Sequence, residues 1–149
     1  MITVYTDGAA KGNPGPGGYG TVMKFGDKRK EFSEGFRRTT NNRMELLAVI
    51  VALEKLKTNK YPITIYSDSK YVVEAVEKGW IWNWQKKGFK DKANVDLWKR
   101  FIPLYKQYKV SFKWVKGHAG IPENERCDQL AVAAAQGPDL QTDHGYEGR

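Results

Sequence analysis

A chain of 149 residues with 40% hydrophobic and 13% aromatic side chains is long enough to bury one core, too short for two independent domains, and too apolar to be disordered throughout. Its 25 lysines and arginines against 17 acids give a net charge of +8; such an excess favours polyanions through counterion release and, with no amphipathic anchor helix, nucleic acid ahead of a membrane. The start of the chain lacks a basic, apolar leader, and no run of about 18 uncharged apolar residues occurs. The single cysteine, Cys127, excludes an intramolecular disulfide and a thiolate metal cage. A cytoplasmic, unanchored monomer is expected.

In chain order, Ile2, Val4 and Thr6 alternate with Thr3, Tyr5 and Asp7 before a glycine- and proline-rich stretch over residues 8–18, which reads as strand, then loop. Residues 19–25 and 30–36 flank Gly26-Asp27-Lys28-Arg29 and predict a hairpin, so three antiparallel strands open the domain. Residues 41–57 predict a helix whose apolar run from Leu46 to Leu53 must be largely buried. A strand follows over 63–68, helices over 69–77, 80–87 and 94–108, a strand over 110–115, and a helix over 122–135. Pro122 suits the first turn of that last helix, and Glu123 and Glu125 suit the positive end of its dipole. Past Ala135, Gly137-Pro138 stops the helix, and the polar tail 136–149 is expected to be disordered. Strands alternating with helices after a meander predict an α/β fold, a mixed five-stranded sheet flanked by helices, with a site beyond the carboxyl ends of the parallel strands.

The segments Ile2-Thr3-Val4-Tyr5-Thr6-Asp7 and Ile63-Thr64-Ile65-Tyr66-Ser67-Asp68 share one pattern, with an aspartate at the same phase. A lone strand-end aspartate commonly starts a turn. Two matched ones on parallel neighbours about 4.8 Å apart would repel unless a cation or a proton lay between them. Glu45 follows Asn42 by three residues, as in a capping box. Its helical phase nevertheless aligns it with Val49, Ala52 and Leu56, on the side facing the sheet. Asp128 lies past the first turn of the last helix, where by itself it reads as a solvent-facing residue. Carboxylates without sulfur and with few histidines point to Mg²⁺ or Mn²⁺. His118, flanked by glycines just after the 110–115 strand, suits a proton carrier near neutral pH.

Trp80, Trp82 and Trp84 fall within five residues and are followed by Lys86, Lys87, Lys90 and Lys92, a basic and aromatic cluster suited to sugars and phosphates. Tryptophans two apart cannot all share one helix face, so at least one packs inward. The loop after Asp7 lacks the Gly-Lys-Ser/Thr ending of a nucleotide-binding loop, which argues against an ATPase. Its glycines let backbone approach a sugar-phosphate chain.

Taken in order, Tyr5-Thr6-Asp7-Gly8 with Gly12-Asn13-Pro14-Gly15, Thr39-Thr40-Asn41-Asn42-Arg43-Met44-Glu45, Tyr66-Ser67-Asp68-Ser69, Trp114-Val115-Lys116-Gly117-His118-Ala119-Gly120 and Asn124-Glu125-Arg126-Cys127-Asp128 resemble bacterial type 1 ribonuclease H over residues 1 to about 135. The resemblance implies a catalytic domain over 1–135 that cuts the RNA strand of an RNA/DNA hybrid, leaving 3′-hydroxyl and 5′-phosphate ends. It implies that Asp7, Glu45, Asp68 and Asp128 hold two Mg²⁺ ions, with Mn²⁺ able to substitute, and that His118 assists proton transfer or product departure. By the same carry-over Asn13, Asn41 and Asn42 read 2′-hydroxyls, and Arg38, Thr40 and Asn94 form a pocket for a DNA-strand phosphate. Residues 80–92 resemble the family's basic protrusion, with Trp80, Trp84, Lys86 and Lys87 as substrate contacts, although 90–94 is short beside longer bacterial examples. Lys70 stands at an RNA-contacting position where some relatives carry glutamine. A hybrid-binding module without turnover, or a junction resolvase or transposase core acting on DNA, are the alternatives; the full set of acids argues against the first, and the asparagines with the 80–92 segment against the second.

Overall fold

The computed structural model describes residues 1–117 and 119–148. Strands β1 (Ile2–Ala10), β2 (Gly15–Phe25) and β3 (Lys28–Thr39) form the antiparallel meander, and β4 (Ile63–Ser67) and β5 (Val110–Trp114) add in parallel on the far side of β1. The sheet order is β3-β2-β1-β4-β5, which puts β1 at the centre. The mixed sheet expected from the chain order is thus the one observed. All three strands extend further than the sequence pattern marked: residues 8–10 and 15–18, expected as loop, are strand, Ala9 pairing with Gly18 and Ala10 with Gly17, and β3 starts at Lys28 beyond a tight turn at Gly26, φ +61°, and runs on to Thr39.

Helix α1 (Asn41–Glu54) is buried at every residue from Arg43 to Leu53, which accounts for its unbroken apolar run. It lies on one face of the sheet, against β1 and β2, and is covered in turn by α4 (Val95–Gln107) and α2 (Lys70–Glu77). Met44, Leu46, Ile50 and Leu53 are completely excluded from solvent, each worth about 2 kcal/mol of transfer free energy. Helix α3 (Trp80–Lys86) follows α2 through Gly79. The opposite face of the sheet carries α5 (Pro122–Gln136), packed on β1, β2 and β3. It seats there because β2 offers no side chain at Gly20, where a Cβ would collide with the carbonyl oxygen of Cys127. The Cys127 thiol donates to the carbonyl of Tyr5 at 3.2 Å, fixing α5 along β1.

Residues 136–148 of the tail expected to be disordered are described, and they are held against the domain. Gln141 pairs with Phe36 on the edge of β3, and the short helix α6 (His144–Glu147) packs against the same strand. The segment is polar and has no apolar period, so its sequence reads as unstructured, but its anchor is ionic: Asp143 is buried against Arg43, 100 residues away.

Candidate active site

The parallel register matches Ile2 with Ile63 through Thr6 with Ser67 and stacks the rings of Tyr5 and Tyr66, 5.1 Å between centroids. Asp7 and Asp68 are the next residues of the two strands, so their carboxylates emerge side by side at the carboxyl end of the sheet. Glu45 arrives from α1. Thr40 is the N-cap, its hydroxyl accepting from the Arg43 amide at 3.2 Å; Glu45 is therefore not the partner of a capping Asn42 and is free to turn toward the strands. The approach is close, for a Cβ at Gly8 would collide with the backbone of Met44 and Glu45. Ligand oxygens of Asp7, Glu45 and Asp68 lie within 4.8 Å of one another. Asp128, on α5, lines the same cleft of about 460 Å³ with Asn41, Asn42, Ser69, Lys70 and Tyr71. It stands at the wall, outside the three-carboxylate cluster.

Burial drives the Asp7 carboxyl up to about 7, with the charges of Asp68 and Asp128 adding and hydrogen bonds from Glu45 and the Gly8 amide opposing. Glu45 rises well above the carboxylate range for the same reasons, burial first and then the charges of Asp7 and Asp68. Its Oε1 is buried with no hydrogen-bond partner. A buried carboxylate oxygen without a donor is costly, and three hard oxygen donors converging on one point fit a divalent cation such as Mg²⁺ or Mn²⁺. Because Asp7 binds its proton more tightly in the folded than in the unfolded chain, it withdraws stability as pH rises from near 4 to about 7. The melting temperature in chelator is expected to fall across that window, with buried Glu45 adding to the loss. Millimolar Mg²⁺ should reverse the fall, and Asp7→Asn should flatten it. Thermal melts at pH 5, 6, 7 and 8 with and without Mg²⁺ check this; a profile indifferent to both cation and substitution would contradict the strained cluster.

Around the acids, the loop after β1 reaches α1 through Asn13, whose Oδ1 accepts from the Asn41 amide at 3.0 Å. Asn13, Asn41 and Asn42 are exposed at this junction. Lys70 holds its ammonium 5.0 Å from the centroid of Trp114, and the Trp114 indole donates to the Asp68 carbonyl at 3.0 Å. Sequence reasoning gave Trp114 and Tyr71 no site role. Trp114 ends a strand parallel to that of Asp68, the one local signal of its position, and nothing local marked Tyr71. The Tyr71 hydroxyl accepts from Asn94 Nδ2 at 3.1 Å and from the Trp98 indole at 2.9 Å. Asn94 is buried, whereas Arg38 is exposed near the end of β3.

In α3, Trp80 is 44% exposed, whereas Trp84 packs edge-on against Trp98 and Trp82 leans on Tyr105. The expectation of an inward tryptophan holds for two of the three. Lys92 covers the Trp84 ring at 4.9 Å, and Lys86 and Lys87 are exposed where α3 ends. His118 lies outside the described residues.

A mixed α/β domain with carboxylates gathered where two adjacent parallel strands stop pairing, beside exposed asparagines and lysines, defines an acidic centre with the donor set for a cation on a basic protein. The family model for RNase H matches residues 1–136. A ribonuclease H of Desulforamulus reducens is 60% identical over 147 residues, covering 95% of this chain and 92% of that protein. LC9-RNase H1, a type 1 RNase H with the type 2 active-site motif, has a TM-score of 0.80 at 30% identity, covering 99% of this chain and 79% of its own. LC11-RNase H1, solved in complex with an RNA/DNA hybrid, has a TM-score of 0.67 at 26% identity, covering 91% and 97%. The chain belongs to the RNase H family.

Proposed function

We propose that this protein is an endonuclease that hydrolyses the RNA strand of RNA/DNA hybrids, leaving 3′-hydroxyl and 5′-phosphate ends. The observation that carries the reading is the meeting of Asp7, Glu45 and Asp68, from three distant stretches of chain, within 4.8 Å around a buried, unpaired Glu45 oxygen. Asp7, Glu45, Asp68 and, from the cleft wall, Asp128 would hold two Mg²⁺ ions, with Mn²⁺ a substitute. Bound there, the cations supply Lewis acidity that activates water and stabilises the departing oxygen of a phosphodiester. The family membership, and a relative solved on a hybrid, support this substrate.

The remaining assignments rest on membership of the family. Asn13, Asn41 and Asn42 sit together on the lip of the cleft, where amide groups discriminate a 2′-hydroxyl from hydrogen. Lys70 lines the cleft beside them. Arg38, Thr40 and Asn94 take a phosphate of the DNA strand, and Trp80, Trp84, Lys86 and Lys87 hold the duplex against α3 through stacking and charge. His118, four residues beyond β5, carries a proton to or from the reacting phosphate. Nothing in this scheme requires a second copy, and no described helix is long and apolar enough to cross a membrane; we propose a monomer acting in the cytoplasm.

Matched RNA/DNA, RNA/RNA and DNA/DNA duplexes incubated with Mg²⁺ and with chelator test the reading. Cleavage is expected in the RNA of the hybrid alone and only with the metal. Equal cutting of DNA/DNA would reject it.

A further inference from the structure

The family model ends at residue 136, yet the segment beyond it grips the part of the molecule to which the phosphate pocket is assigned above. On the edge of β3 the Gln141 carbonyl accepts from the Arg37 amide, and the Gln141 amide donates to the Gly35 carbonyl, both at 2.9 Å. The Arg37 guanidinium lies 3.0 Å from Glu147. The Thr39 hydroxyl donates to Asp143 Oδ2 at 2.7 Å. The tail thus holds residues 37 and 39, and by strand alternation Arg38 is presented to the other side.

Asp143 also meets α1. It accepts from Arg43 Nε at 2.8 Å and from Nη2 at 2.9 Å, while Nη1 and Nη2 donate to Asp96 at 2.8 and 2.7 Å. The same Nη1 reaches Asn94 Oδ1 at 3.5 Å. Asn94 adopts a left-handed backbone, φ 62°, and its side chain makes no cap bond to its own helix. Its amide is instead oriented from outside, by Arg43 on one end and Tyr71 on the other. A guanidinium held on two carboxylates through its planar fork has one orientation.

We infer that Asp143 is a positioning residue for the phosphate pocket: through Thr39 and Arg43 it fixes Arg38, Thr40 and Asn94 relative to one another, so the C-terminal segment sets affinity for the DNA strand without touching it. The inference rests on the hybrid substrate proposed above. Without the Asp143 charge, Arg43 is left to Asp96 and settles toward it, and Asn94 loses its fixed acceptor geometry.

Asp143→Asn keeps the shape and one oxygen acceptor, and Thr39→Val removes a single hydroxyl while leaving both ion pairs, so the second variant stands if the first folds poorly. Binding would be measured in chelator by fluorescence anisotropy on hybrids carrying one neutral methylphosphonate at a time along the DNA strand, and kcat and KM with Mg²⁺ on the unmodified hybrid. Wild type should show one position at which the neutral group weakens binding about tenfold, the worth of a hydrogen bond to a charged group. Asp143→Asn should bind the unmodified hybrid several-fold more weakly, lose the penalty at that position, and show the change in KM with kcat within about twofold. Thr39→Val should fall between the two. Either variant keeping the wild-type methylphosphonate pattern and KM overturns the inference, whatever its melting temperature. A wild-type protein that neither binds nor cuts the hybrid would remove the substrate reading itself, an outcome read without any variant.

Discussion

Asp7→Asn is expected to lower turnover of an RNA/DNA hybrid by at least about a thousandfold, or about 4 kcal/mol of barrier, while the dissociation constant for the hybrid in chelator stays within about twofold. Asparagine preserves the shape and the oxygen that accepts from the Gly8 amide at 2.9 Å, so the end of β1 has no cause to move. What disappears is one negative charge from the cluster, and with it part of the attraction for a divalent cation. Binding on the proposed reading is carried elsewhere, by lysines such as Lys86 and Lys87, which are exposed, and does not depend on that charge. The same variant should gain stability above pH 7 in chelator, where wild type keeps an ionised, buried Asp7. Single-turnover cleavage and anisotropy titration on one preparation separate the two effects. Turnover near wild type would show that Asp7 is not in the reaction.

Arg43→Met is expected to cost about 3–5 kcal/mol, the usual result of removing one partner from a buried ion pair, and to lower the melting temperature by about 10 °C for a domain of this size. Arg43 is 1% exposed and faces Asp143, itself 7% exposed. Methionine fills much of the space, so the loss arises mainly from a carboxylate left with the Thr39 hydroxyl and no counter-charge. Asp96 is 40% exposed at its side chain and is partly rescued by water. The double variant Arg43→Met/Asp143→Asn should therefore melt higher than the sum of the single losses predicts. A drop below 2 °C in the single variant would mean that the network contributes little to folding.

The parts of the molecule written in local periodicity were legible from the chain. Alternation marked β1 and β4, and the aspartate repeated at the same phase of both segments brought Asp7 and Asp68 together on the expectation that the strands are parallel neighbours. Helical phase turned Glu45 toward the sheet, as observed. What escaped depended on contacts between distant residues. Whether Asn42 or Thr40 capped α1 was a matter of one hydroxyl's geometry. Asp128 by its own sequence looked like surface, and only the packing of α5 brings it to the cleft. The tail has no apolar period, so an ordering contact made by a carboxylate with Arg43 left no trace in its composition. The Trp114 hydrogen bond to Asp68 required the pairing of β4 with β5, which the sequence indicated only as a parallel sheet.

The empty position at Gly20 reaches further than the packing it permits. The fourth acid is carried on a helix whose depth over the sheet is governed by an atom that is not there. Were alanine to stand at that place, the extra methyl would press on the Cys127 carbonyl and lever the whole rod outward, taking Asp128 with it. The reach of the acidic centre across the cleft is thus tuned from beneath, by a residue that has no part in the chemistry and offers nothing to any ligand.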